Sequence, residues 1–437
     1  MTTPLASPRR RREVVDALRR GTVPSYGLDL LAVGLDRFTA ALDEELESVA
    51  AGGSVFKTVR GEYGAGKTFF SRWLIERARQ AGFASSEVQV SETETPLHRL
   101  ETVYRRITEN LSSSELPPSA LRDVIDGWIH TLEQDVLASA AAPLAEGALA
   151  AAVDELLEKR LAAVGRTATG FATALRGYRT AVGTGDSAQA EGLLAWLGGQ
   201  PHVAASVRRS AGVRGDLDHF AAFGFLQGLL TVLRDSGYSG LILVLDEVET
   251  LQRVRGDVRD KALNALRQLV DEVHSGRFPG LYLLITGTPA FFDGTQGVQR
   301  LTPLAQRLAT DFTGDARYDN PRAVQLRLPG FDHDALVSVG RRVRDLYAQD
   351  AAPRVPLVVD DDYLDVLASA VTGRLGGKVG VAPRLFLKKL VGDVLDRVDQ
   401  FEDFDPRRDY AATVTTAELD EQEREAAGVD DIDLELP

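Results

Sequence analysis

The eight residues Gly61-Glu62-Tyr63-Gly64-Ala65-Gly66-Lys67-Thr68 constrain this chain more than any other feature. They fit G-x-x-x-x-G-K-[ST] in full. The β-rich run Val55 to Val59 precedes them, and a helical spacing of Phe70, Leu74 and Ala78 follows. In that setting the glycines let backbone N–H groups close around phosphates. Lysine then reaches the β- and γ-phosphates, and the threonine hydroxyl binds Mg²⁺. A strand, a glycine loop and a helix are therefore expected in succession. Gly61 to Phe69 form the candidate ATP-binding stretch, with Lys67 central to its chemistry.

Such a loop needs an acid partner. Leu241-Ile242-Leu243-Val244-Leu245-Asp246-Glu247 reads as an apolar strand ending in two carboxylates. Asp246 is expected to hold the Mg²⁺ shell together with Thr68, and Glu247 to polarise the attacking water. Glu249 is a further carboxylate with no assigned role. Lys67 and Asp246 lie 179 positions apart, much more than one β-α-β unit needs, so a helical insert is expected between them. No N-K-x-D guanine motif occurs, which disfavours a GTPase. Trp196-Leu197-Gly198-Gly199-Gln200 reads as the turn at a helix end.

Along the chain, Arg11 to Arg20 and Leu35 to Val49 read as helices, separated by a turn at Thr22 to Gly27. A second strand is expected at Glu87 to Val90, followed by a helix through Leu100, Val103, Tyr104 and Ile107. The stretch to about Asp216 reads as helical and Ala-rich, notably Ala138 to Ala152, with breaks at Gly165 to Gly170 and Gly183 to Ser187. Strands follow at Leu241 to Leu245, Leu281 to Thr286 and Ala323 to Leu328, with helices at Asp218 to Leu233 and Asp257 to Val273. Beyond Pro329 only helices are expected: Asp332 to Tyr347, Asp361 to Val371 and Pro383 to Val398. The resulting organisation is an N-terminal helical segment (1–50), an α/β core (51–112 and 217–329) and a helical insertion (113–216). A helical lid (330–403) and an acidic, partly disordered tail (404–437) complete it.

Composition narrows the chemistry. With no cysteine among 437 residues, disulfides, thiolate zinc, iron–sulfur clusters and a catalytic thiol are excluded. The six histidines are scattered, which speaks against a His-built metal site. The formal charge of −14 argues against coating nucleic acid through bulk charge. Of that charge, −8 falls in Ala417 to Pro437, leaving −6 for the first 416 residues, so local basic faces remain open. Arg208, Arg209 and Arg214 form one basic stretch; Arg253, Arg255 and Arg259 form another. Both read first as ordinary solvated arginines, and Arg9 to Arg12 reads first as a disordered end. No apolar h-region and no membrane-length apolar run occurs, so a cytoplasmic location without membrane contact is expected.

The pattern of motifs resembles that of AAA+ ATPases. The resemblance implies a parallel-sheet core with a C-terminal helical lid. It places a polar sensor in Ile285-Thr286-Gly287-Thr288-Pro289, where Thr286 and Thr288 are the candidates. It also implies a neighbour-reaching arginine finger near Arg307, with Arg300, Arg317 and Arg322 close by in sequence. Arg384, opening the last expected helix, stands where a second sensor would lie.

A closer resemblance rests on less common flanks: Arg12 to Pro24 (REVVDALRRGTVP), Arg60 with the glycine loop, Ser91 to His98 (SETETPLH), and Leu245 to Thr250 (LDEVET). These resemble the ATP-binding BrxD family of bacteriophage-exclusion (BREX) systems. Membership implies an ATPase in a multi-gene anti-phage defence system that marks self DNA by methylation. Other defence proteins are the implied partners. Two functions are open at this point: an oligomeric motor or loader acting on DNA or a helicase, and a nucleotide-gated adaptor with slow turnover. A small-molecule kinase is a weaker third reading, since no acceptor site is evident.

Overall fold

The computed structural model describes residues 7–140, 146–374 and 382–412. At its centre lies a sheet of β1 (Ser54–Arg60), β2 (Ala84–Gln89), β3 (Leu241–Asp246), β4 (Leu281–Gly287) and β5 (Gln325–Arg327). All pairings are parallel, in the spatial order β2-β3-β4-β1-β5. Parallel sheets are covered on both faces, so their strands read as continuous apolar runs. Leu241–Asp246 and Leu281–Gly287 are buried throughout for this reason. Alternate side chains leave on opposite faces. Leu243, Leu245, Leu283 and Ile285 join one core cluster; Ile242, Val244, Tyr282 and Leu284 join the other.

In chain order the helices are α1 (Pro8–Arg20), α2 (Asp36–Ala50), α3 (Lys67–Gln80), α4 (Leu100–Glu109), α5 (Leu121–Ser139), α6 (Glu146–Thr167), α7 (Thr169–Thr184), α8 (Ser187–Leu197), α9 (Ala205–Ser210) and α10 (Ala222–Asp235). They continue with α11 (Gly256–His274), α12 (Pro289–Asp293), α13 (Thr302–Leu308), α14 (His333–Ala348), α15 (Val355–Val358), α16 (Asp361–Arg374), α17 (Ala382–Lys388), α18 (Asp396–Gln400) and α19 (Pro406–Asp409). A π-helical stretch, Lys389–Leu395, joins α17 to α18. The α/β architecture expected from the sequence is present.

Helices α5 to α8 share a core with one face of the sheet. Phe225 on α10 is the hub: its ring centroid lies 5.6 Å from Tyr104, 5.3 Å from Phe171 and 5.1 Å from Trp196. Trp128 of α5 is fully buried, and its Nε1 donates to Asp235 Oδ2 at 2.7 Å. On the other face α2 and α3 cover the sheet through Phe38, Leu42, Phe70 and Leu74. The C-terminal helices form a third core into which α1 inserts Val14, Val15 and Leu18. Thus α1 and α2, adjacent in sequence, serve different cores.

Several expectations are corrected. β2 begins at Ala84, ahead of the expected Glu87, because Ser85 and Ser86 are buried with satisfied hydroxyls. Ser86 Oγ donates to the Ile107 carbonyl at 3.0 Å, and Arg79 Nε donates to Ser85 Oγ at 2.8 Å. The break expected within Gly165 to Gly170 is present, at Ala168 between α6 and α7. The helix expected from Asp218 starts at Ala222, with the Asp218 carboxylate accepting the Ala221 N–H at 2.8 Å. In the Ala-rich stretch α5 ends at Ser139 and Ala140 is extended; residues 141–145 lie outside the described residues.

The arginines at the amino end are helical. Pro8 opens α1, where a missing N–H costs nothing, and Ser7 Oγ caps it from Arg10 N at 3.3 Å. Arg11 forks onto Asp350, Nε to Oδ2 at 2.9 Å and Nη2 to Oδ1 at 2.6 Å. That clamp ties α1 to the end of α14. Residues 404–412 also pack on this body: Tyr410 Oη donates to Asp393 Oδ2 at 2.9 Å. The acidic stretch Ala417 to Pro437 lies outside the described residues.

Candidate functional site

In open parallel sheets ligands bind outside the carboxyl ends of the strands, where the strand order switches direction. Here the chain crosses from β1 over β4 and β3 to β2, then from β4 across β1 to β5. The loops after β1, β3 and β5 meet at that end. They line a cavity of about 480 Å³ together with α1, the segment after it, α14 and α17.

The glycine loop supplies one wall. Gly64 and Gly66 hold φ of 77° and 87°, a left-handed backbone that L side chains adopt only with strain. Gly66 thereby turns the chain into α3, whose first residue is Lys67; the Phe70 N–H bonds back to the Gly66 carbonyl at 2.8 Å. Unpaired N–H groups and the positive end of the helix dipole face the cavity, a setting that favours anions. Lys67 Nζ donates to the Gly61 carbonyl at 3.0 Å and the Glu62 carbonyl at 3.3 Å, and sits 5.0 Å from the Tyr63 ring centroid.

The acid strand lies close by. Thr68 Oγ1 donates to Asp246 Oδ2 at 3.1 Å, joining residues 178 positions apart in sequence. The other Asp246 oxygen accepts from the Thr286 hydroxyl and from the Glu247 N–H, the latter at 3.1 Å. Glu247 itself has φ 60° and ψ 41°. A non-glycine residue in that region is uncommon and costs about 1–3 kcal/mol. The turn sends its carboxylate to the cavity wall, where Oε2 accepts from Gln89 Nε2 at 2.8 Å.

Much of the remaining wall is apolar, with Val23, Leu31, Val33, Leu35, Phe331 and Leu387. The segment carrying the first four is pinned by Glu76 of α3. This buried carboxylate accepts the N–H groups of Gly27 at 2.9 Å and Leu28 at 2.8 Å, and it pairs with Arg10. Gly27, at φ 77°, could not carry a side chain here, since a Cβ would lie 2.9 Å from Val14. A cavity with one anion-binding wall and one apolar wall suits a phosphorylated ligand with a flat, apolar body.

Other candidates are placed as follows. Arg384 of α17 lines the cavity; its neighbour Val381 lies outside the described residues. Thr286 and Thr288 are buried and are not among the residues lining the cavity. Thr286 faces Asp246, whereas Thr288 precedes α12. Arg307 of α13 is remote from the cavity lining, ion-paired to Asp271 of α11, and donates to the Pro303 carbonyl at 2.7 Å. Arg300 pairs with Asp260, Arg317 with Asp315 and Arg322 with Glu44. Of the basic stretches, Arg259 is buried, donating to the carbonyls of Leu251, Gln252 and Val254 at 3.0, 2.8 and 2.8 Å. It fixes the loop after β3 and is no solvated arginine.

Two residues had no role assigned from the sequence. Glu76 sits on an otherwise ordinary amphipathic helix. Glu249 is buried in the 3₁₀ turn Val248–Gln252, its Oε1 3.7 Å from Lys67 Nζ. Burial pushes its carboxyl above the usual range, and the Lys67 charge opposes that shift. Only its placement after a buried strand end hinted at either property.

Among the described residues no cluster of three or more His, Asp or Glu could cage a metal. Thr68 and Asp246 nonetheless fit Mg²⁺, which is typically held by one or two protein oxygens plus phosphates and water. Among the described residues no helix is long and apolar enough to cross a membrane.

A family described as BREX system ATP-binding protein BrxC/D matches residues 6–414. No curated protein and no solved structure matches the chain.

Proposed function

The chain belongs to the BREX system ATP-binding protein BrxC/D family, and on that premise we propose that it is an AAA+-like ATPase of a BREX defence system. Its nucleotide site is the cavity between the glycine loop and the C-terminal helices, which serve as a lid. The observation that carries this reading is the meeting of Thr68 and Asp246 beneath the loop that bears Lys67. Such a pairing is what a Mg²⁺-bound nucleotide requires.

Gly61 to Phe69 bind the phosphates through backbone N–H groups, with Lys67 on the β- and γ-phosphates. Bound Mg²⁺, held by Thr68 and Asp246, would neutralise charge developing on the transferred phosphoryl group. Thr286 keeps Asp246 in register from β4. Glu247, oriented by Gln89, polarises the attacking water, and Arg384 reaches the site from the lid. Thr286 and Thr288 are the two candidates for the polar sensor of the γ-phosphate. Arg307, partly exposed and paired with Asp271 of α11, has the proposed role of completing a neighbouring subunit's site. ATP turnover would then drive an oligomeric motor or loader acting on DNA, a helicase or another defence protein. The proposed setting is the cytoplasm, as expected from the sequence.

Turnover by wild type and E247Q, combined with particle mass with and without a non-hydrolysable ATP analogue, tests this reading. Hydrolysis lost in E247Q, with a ring forming on the analogue, supports the motor. Unchanged hydrolysis in E247Q would overturn the assignment of that residue. A constant monomer that hydrolyses slowly would favour the adaptor reading, for which the shared core of insert and sheet supplies a rigid docking body.

A further inference from the structure

Glu249 stands out among buried titratable groups because the hydrolysis scheme does not use it. Its residue is 5% exposed, and neither carboxylate oxygen accepts a hydrogen bond. A buried carboxylate without a donor is costly unless something nearby compensates it. The compensating group is Lys67 Nζ at 3.7 Å, too far for a hydrogen bond yet close enough for charge pairing. Lys67 meanwhile spends its donors on the Gly61 and Glu62 carbonyls of its own loop. In this state the lysine is therefore folded back, held by loop carbonyls on one side and an acid on the other. Glu249 also lines the cavity, alongside Asp246 and Glu247.

We propose that Glu249 is a positioning residue that competes with phosphate for Lys67 and so sets the threshold at which nucleotide is taken up. The inference rests on reading the cavity as the nucleotide site. When phosphates enter, Lys67 must turn from Glu249 toward them, leaving a buried carboxylate facing a polyanion. Like charges at that range in a partly buried site repel substantially. Affinity for the phosphate moiety is thus held below what the glycine loop alone would give. Burial, which disfavours the charged carboxylate, works against this competition, whereas the neighbouring Lys67 charge favours the charged form.

Calorimetric titration of wild type, E249Q, E249D and K67Q with a slowly hydrolysed ATP analogue, with pyrophosphate and with adenosine tests the inference. E249Q removes the charge at constant shape, and should bind the analogue and pyrophosphate about tenfold more tightly. Adenosine, which has no phosphate, should bind E249Q and wild type alike. E249D keeps the charge and should stay within about threefold of wild type. A merely structural role for Glu249 predicts the reverse: weaker analogue binding in E249Q, together with a lower melting temperature. Equal or weaker analogue binding by E249Q, with K67Q defective, overturns this inference and leaves the nucleotide site standing. If K67Q binds the analogue as wild type does, the reading of the cavity fails, and the inference with it.

Discussion

Replacing Thr286 by valine tests how much the acid of the site depends on its neighbour on β4. Thr286 is fully buried, and its hydroxyl donates to Asp246 while standing 3.4 Å from the Glu247 N–H. Valine keeps the shape of the side chain and its contacts within the sheet, so the loss is confined to the hydroxyl. Hydrogen bonds to charged groups are worth about 1.5–3 kcal/mol, and the carboxylate retains donors from Glu247 N–H and Thr68. We therefore expect kcat/KM for ATP to fall about 10- to 100-fold, at about 1.4 kcal/mol per decade. The fall should be steeper at limiting Mg²⁺, since the freed carboxylate can rotate away from the shared ligand position. T286S, which keeps the hydroxyl, should recover most of the loss. The assay is steady-state ATP turnover over a Mg²⁺ series, with thermal unfolding as the check on folding. Turnover by T286V within about twofold of wild type at every Mg²⁺ concentration would refute the buttressing role.

Other outcomes follow from the same geometry. W128A empties a fully buried site that joins α5 to α10, and should cost about 3–5 kcal/mol; one cooperative unfolding transition should shift as a whole, and separate melting of insert and sheet would contradict their shared core. The Arg11 guanidinium holds the Asp350 carboxyl below its usual range. Its contribution is full above the ordinary carboxylate value of about 3.9 and is lost as pH falls through the depressed one, so D350N should flatten the acid limb of the stability curve. R307A breaks a partly exposed ion pair and should change stability by less than about 1 kcal/mol. If Arg307 completes a neighbour's site, R307A and K67A should each lose turnover alone and regain part of it when mixed.

The site was legible where chemistry demands fixed residue types at fixed spacing. Lys67, Thr68 and Asp246 announced themselves through motifs, and the structure brings them together across the intervening insert. Buried apolar strands were equally plain, as at Leu241 to Leu245. What the sequence hid depends on tertiary partners. Ser85 and Ser86 look unlike a strand until Arg79 and the Ile107 carbonyl satisfy them. Arg10 and Arg11 read as part of a disordered end until Glu76 and Asp350 appear as their partners from remote positions. Glu249 looks like one acid among many until its burial beside Lys67 is seen. Nor did composition disclose that Val23, Leu31, Val33 and Leu35 would close the apolar side of the cavity, since a carboxylate on α3 holds that segment in place.

Equilibrium binding of a non-hydrolysable ATP analogue to wild type and K67A, with and without Mg²⁺, bears most directly on the nucleotide site. One molecule should bind per chain, more weakly without Mg²⁺, and binding should be lost in a K67A protein that melts normally. Binding to K67A with the affinity and Mg²⁺ dependence of wild type would contradict it.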